Sequence, residues 1–175
     1  MVIELKTLTV DALNAMPKAD FVACLGAIYE RSPWVAEQVM EARPFTDRKH
    51  LVDRMRATVD YAEASAKLAL IRAHPDLAGK LARAGKLGEE SSKEQAGLGL
   101  DRLSDEEFER FSTLNTSYRE RLGFPFVICV RLTDKAGILS AFERRLGHDV
   151  TSEMAEALAQ IHHIARLRVE DLVSE

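Results

Sequence analysis

Ser104-Asp105-Glu106-Glu107-Phe108 reads as the start of a long helix. A serine with a glutamate three residues later forms the reciprocal cap that satisfies the first free amides of a helix. Phe108, Phe111, Leu114 and Tyr118 then follow at helical spacing, until Gly123 offers a natural stop. Downstream, Phe124-Pro125-Phe126-Val127-Ile128-Cys129-Val130 has strong β composition. One extended segment without an obvious partner cannot build a sheet, so 124–130 is expected to be a buried extended connector. Two further helices are expected, Lys135 to Leu146 ending at Gly147, and Thr151 or Ser152 to about Leu172, the second facing inward through Ala155, Leu158, Ile161, Ala165 and Leu172.

The upstream half repeats the pattern. Thr9 or Asp11 can cap a short helix that stops near Pro17, and Asp20 precedes an apolar face of Phe21, Leu25, Ile28 and Tyr29. Ser32 before Pro33 opens a helix through Trp34, Val35, Val39 and Met40 that ends before Pro44. Thr46 repeats that cap ahead of Leu51, Val52, Met55, Val59 and Ala62, and 66–73 is a further helical segment that Pro75 disfavours continuing. Between His74 and Asp101, Gly79, Gly85, Gly88, Gly97 and Gly99 interrupt short helical pieces. The expected fold is therefore all-α, a single-domain helical bundle over 1–175 with a glycine-rich irregular middle and one short extended segment.

Composition narrows the function classes. The 175 residues carry 24 basic and 28 acidic side chains, a formal charge of -4, which lacks the basic excess of a chain that neutralises many phosphates. Nucleic acid is not an expected partner. No apolar run approaches the length of a membrane span, and Glu4 and Lys6 interrupt the start where a signal core would lie. Leu172-Val173-Ser174-Glu175 is not a peroxisomal Ser-Lys-Leu signal, so a cytoplasmic location is expected. Cys24 and Cys129 sit in apolar stretches and read as small buried side chains.

Spacing argues against several familiar sites. His50, His74, His148, His162 and His163 form no His-Glu-x-x-His pair, no Cys-x-x-Cys completes a zinc shell, and the adjacent His162 and His163 diverge by about 100° around a helix. Gly79 to Leu87 departs from the phosphate-loop spacing, and Leu87 stands where a hydroxyl should hold magnesium. Gly97-Leu98-Gly99 lacks the third glycine of a dinucleotide fingerprint, and no Gly-x-Ser-x-Gly elbow is present. Neither metal nor cofactor is expected.

Three groups of polar residues remain. His74, at a helix exit between Ala73 and Pro75, can act as an acid or base near neutral pH or be hydrogen-bonded for structure. Ser91-Ser92-Lys93-Glu94-Gln95 gathers hydroxyl, carboxylate and amide groups, yet Ser91 can equally cap a helix with Glu94 as its partner. Arg168 falls on the inward stripe of the last helix and so needs an internal carboxylate or an anionic ligand, whereas Arg166 lies about 160° away and reads as solvated or ion-paired.

The blocks His74-Pro75-Asp76-Leu77-Ala78-Gly79, Ser91-x-x-Glu94-Gln95-Ala96-Gly97 and Gly123-Phe124-Pro125-Phe126-Val127-Ile128 together resemble the 2-oxo-4-hydroxy-4-carboxy-5-ureidoimidazoline (OHCU) decarboxylases, from about Leu8 to Val173. That resemblance implies an all-helical, cofactor-free, homodimeric enzyme that makes (S)-allantoin in the last step of urate conversion. It implies His74 as the proton-transfer residue and Glu94 as the assisting carboxylate. Pro75, Ser91 and Gln95 would contact the substrate, as would backbone groups at Phe126 and Ile128, and Arg168 would bind its negative charge, with Arg166 the alternative. The expected partner is a small ureide; the rival readings are a helical binding module without turnover and a ring-opening hydrolase acting on the preceding ureide.

Overall fold

The computed structural model describes residues 8–79, 85 and 87–175. Their contacts divide into two compact units, the described part of Met1–Leu70 with Ala165–Glu175, and the described part of Ile71–Ile164. Among the described residues there are nine α-helices and a single two-stranded sheet, and no helix is long and apolar enough to cross a membrane. The architecture is mostly α, as expected.

In the first unit, β1 (Leu8–Thr9) pairs in parallel with β2 (Val173–Ser174). Thr9 also accepts from the Ala12 amide and so starts α1 (Val10–Ala15). The other end of α1 is closed from a distance, because Arg43 Nη1 donates to the carbonyls of Leu13, Asn14 and Met16. α2 (Lys18–Leu25), α3 (Trp34–Val39) and α4 (Arg48–Asp60) follow. Phe21, Leu25, Val35, Val39, Leu51, Met55 and Val59 are buried on these helices, at the apolar periods visible in the chain. Two caps differ from expectation. Ser32 turns its hydroxyl to the Glu30 carbonyl, and Asp47 rather than Thr46 caps α4, accepting from the His50 amide in its first turn. A carboxylate is the stronger acceptor at a helix N-terminus.

α5 (Ala64–Arg72) leads into the second unit, which holds α6 (Glu89–Gly97), α7 (Asp105–Leu122), α8 (Lys135–Arg145) and the first part of α9 (Val150–Leu172). The expected reciprocal cap of Ser104 and Glu107 is present, and α7 ends at Gly123 with φ +81°, a conformation that a Cβ would strain. Ser104→Ala is expected to cost about 1 kcal/mol, a lowering of the thermal midpoint by about 2–4 °C measured by circular dichroism. The connector 125–129 stays outside helix and sheet, as expected for a segment without a strand partner.

The register of α9 is a correction. Glu153, Ala157, Ile161, Ile164, Ala165, Arg168 and Val169 are buried, while Ala155 and Leu172 are exposed and Leu158 is intermediate. With so many alanines and leucines, two adjacent stripes satisfy the helical period almost equally, and the surrounding elements choose between them. Cys24 is only half-buried, whereas Cys129 is buried as expected.

Candidate active site

Pro75 cannot extend α5, and the backbone after it forms a loop, 74–79, fixed by side chains from two helices. His74 is buried, and its amide donates to the Ile71 carbonyl at 3.2 Å. Asp76 accepts from Arg119 Nε and Nη2 at 3.0 and 2.8 Å, and the Leu77 carbonyl accepts from Asn115 Nδ2 at 2.8 Å. Asn115 and Arg119 lie one turn apart on α7 and so meet consecutive residues of the loop. The Ala78 amide donates to Gln95 Oε1 at 2.9 Å while Ala78 itself sits at φ +50°. An alanine is held in the left-handed region only where its surroundings over-determine it. The loop that carries His74 is thus held at three consecutive residues.

Ser91, Glu94 and Gln95 share one face of α6, with Ser91 and Gln95 buried and Glu94 half-buried. The capping alternative for Ser91 is not realised: Gly88 is the N-cap residue, and Ser91 is already the third residue inside the helix. Because Gln95 Oε1 faces an amide donor, its NH2 group points elsewhere. Glu94 lies near enough to Cys129 to be felt electrostatically. Burial first, with the Glu94 charge a smaller contributor, raises the Cys129 thiol above its ordinary value.

Phe126 contributes its ring to the core rather than to a cavity: it stacks on Phe142 at 3.7 Å between centroids, meets Tyr118 edge-on and lies under the Arg145 guanidinium at 4.3 Å. Only its backbone is left to serve a ligand. Among the described residues, the amides of Phe126 and Ile128 donate to no protein acceptor. Pro75 and Ile128 are half-buried.

Arg168 belongs to the first unit and is buried there. Its Nη1 donates to Glu30 Oε2 at 3.1 Å and to the carbonyls of Ala27 and Ile28 at 3.2 and 3.4 Å. Arg166 pairs with Glu170 at 2.8 Å on a partly exposed face, in keeping with its place on the helical wheel. His74, Ser91, Glu94, Gln95, Phe126 and Ile128 all belong to the second unit. Among the described residues no three His, Cys, Asp or Glu side chains gather as a metal site would require, and most of the Gly79 to Leu87 stretch lies outside the described residues.

Sequence reading passes over Asn115 and Arg119, and with them a buried polar group. Arg145 and Glu153, both fully buried, pair through Arg145 Nε at 2.9 Å to Glu153 Oε2. Tyr118 donates its hydroxyl to the same carboxylate, and His148 Nδ1 lies 2.9 Å from Glu153 Oε1. Burial, and next the hydrogen bond to Glu153, hold the Tyr118 hydroxyl well above the ordinary phenol range, so it remains a donor. The signal that could have found them is the one that marks Arg168, a polar residue on an apolar stripe: Asn115 with Phe111 and Tyr118, Arg145 with Ile138 and Phe142, Glu153 with Ala157 and Ile161.

The family model for OHCU decarboxylase matches residues 14–170. The chain is 40% identical over 167 residues to the 2-oxo-4-hydroxy-4-carboxy-5-ureidoimidazoline decarboxylase of Haloferax volcanii, covering 95% of this chain and 97% of that one. It is 41% identical over 165 residues to the protein of the same name from Halalkalicoccus jeotgali, covering 94% and 92%. A crystal structure of (S)-allantoin synthase is similar with a TM-score of 0.76 at 33% identity; the match covers 95% of this chain and 54% of that longer one.

Proposed function

We propose, since this chain belongs to the OHCU decarboxylase family and is a carboxy-lyase, that it converts OHCU to (S)-allantoin in urate degradation without a cofactor. The observation that carries this reading is the buried His74 on a loop tied to Gln95, on the helix face that also bears Ser91 and Glu94. The substrate is a small anion with a carboxylate to lose and a ring rich in donors and acceptors. Donors suit it: the Gln95 NH2, the Ser91 hydroxyl, the amides of Phe126 and Ile128 and the Arg168 guanidinium, with Pro75 giving apolar contact.

In the step proposed, the bond from C4 to the carboxylate breaks, CO2 leaves and the electron pair enters the conjugated C=N of the ring. The 4-hydroxyl gives up its proton as the ring carbonyl forms, the former imine nitrogen takes up one proton and the ureido-bearing carbon another, so that one proton beyond the hydroxyl's own is drawn from solvent. His74, assisted by Glu94, handles these proton transfers, and delivery to one face sets the S configuration. A dry site favours loss of the carboxylate charge, and the burial of Cys129 is in keeping with such a site. The same reading has the enzyme cytoplasmic and homodimeric.

Allantoin formation followed by circular dichroism, with urate oxidised and the resulting ureide hydrolysed in situ, tests the reading. Protein dialysed against EDTA should accelerate formation of the S enantiomer. Binding without acceleration would identify a binding module, and consumption of the preceding ureide a hydrolase. Glu94→Gln keeps shape and removes charge; it should lower the maximum rate about tenfold and leave the thermal midpoint as it was. An unchanged maximum rate would leave Glu94 outside the chemistry.

A further inference from the structure

The buried group around Glu153 has no part in the chemistry just described, and it is an expensive arrangement. Both Arg145 and Glu153 are fully shielded from solvent, and an apolar pair of the same volume would commonly leave a protein no less stable. What the pair does provide is direction. Arg145 Nε meets both Glu153 oxygens, at 3.2 and 2.9 Å, while Tyr118 and His148 hold that carboxylate from other sides. A guanidinium is a rigid planar fork, so anchoring Nε also aims Nη1, which donates to the Val127 carbonyl at 2.8 Å.

The Val127 carbonyl and the Ile128 amide belong to one planar trans peptide and point in opposite directions. Turning that carbonyl toward Arg145 therefore turns the Ile128 N–H away from it. The next peptide is fixed too, because the Cys129 amide donates to Gln160 Oε1 at 2.9 Å. Ile128 is bracketed by two anchored peptides in a segment that has no strand partner to orient it.

We infer that Arg145, with Glu153 as its counter-charge, is a positioning residue that sets the 127–128 peptide plane and so aims the Ile128 amide at the substrate. The inference rests on the reading that this amide serves OHCU. The test is the double variant Arg145→Met with Glu153→Leu, which removes both charges together. It should raise KM for OHCU at least about tenfold, keep kcat within about threefold and keep the thermal midpoint within about 3 °C. In the substrate-free protein the Ile128 amide resonance should move and exchange faster with solvent.

Should the double variant not fold, Arg145→Lys gives the same answer. Its ammonium still neutralises Glu153 but cannot also hold Val127 in the same plane, so KM should rise and the Ile128 resonance should shift. A folded variant of either kind with the wild-type KM and an unmoved Ile128 resonance overturns the inference, as does a melting loss that accounts for the whole loss of activity. Absence of OHCU turnover in the wild type would instead overturn the substrate reading, and the substrate-free amide measurement would still decide what Arg145 does.

Discussion

His74→Asn is expected to lower kcat for OHCU by at least about a hundredfold, the range for loss of a general acid or base, while the far-UV circular dichroism of the protein stays as it was. The fold should survive because the loop does not depend on the imidazole alone. Arg119 holds Asp76, Asn115 holds the Leu77 carbonyl and Gln95 holds the Ala78 amide. Asparagine is also polar and smaller, and can keep one hydrogen bond. Steady-state kinetics beside a thermal melt check this: near-wild-type turnover would make His74 a structural histidine and remove the centre of the mechanism.

For Arg168 the proposed substrate-binding role has to be separated from the structural one. Its guanidinium faces Glu30 and the carbonyls of Ala27 and Ile28, so it braces the turn after α2 whatever else it does. Arg168→Met takes this partner from a buried carboxylate and is expected to cost about 3–5 kcal/mol, a fall of about 6–20 °C in the thermal midpoint for a chain of this size. Arg168→Lys retains the charge without the fork. Its expected signature is a KM raised about tenfold with a much smaller stability loss, whereas Arg166→Lys, on a partly exposed ion pair with Glu170, should change little. Melting losses in both Arg168 variants with no change in KM would make Arg168 a brace alone.

These two residues are legible in the sequence for different reasons. Arg168 stands out because a charge on an apolar stripe must be compensated, a rule that needs only the helical period. His74 stands out through its neighbours, first the proline that ends α5 and then the resemblance of three blocks to one family. Gln95 is legible as a polar residue in such a block, but its bond to the Ala78 amide is not, since it joins residues 17 apart through a loop of irregular backbone. Phe126 is marked by its backbone, and the burial of its ring against Phe142 and Arg145 cannot be read from a run of apolar letters.

By itself the sequence determined what local physics determines: the reciprocal cap of Ser104 and Glu107, the stop at Gly123, the break at Pro75 and the mostly helical class. Each depends on residues within one or two turns, where capping, backbone dihedrals and helical period act directly. Tertiary structure alone decided which stripe of α9 is buried, that Leu8–Thr9 finds Val173–Ser174, and that Arg145 and Glu153 bury their charges against each other. In each of these, local preference leaves alternatives of nearly equal energy. The choice falls to what packs against them, and a pairing across more than 160 positions leaves no periodic trace in the chain.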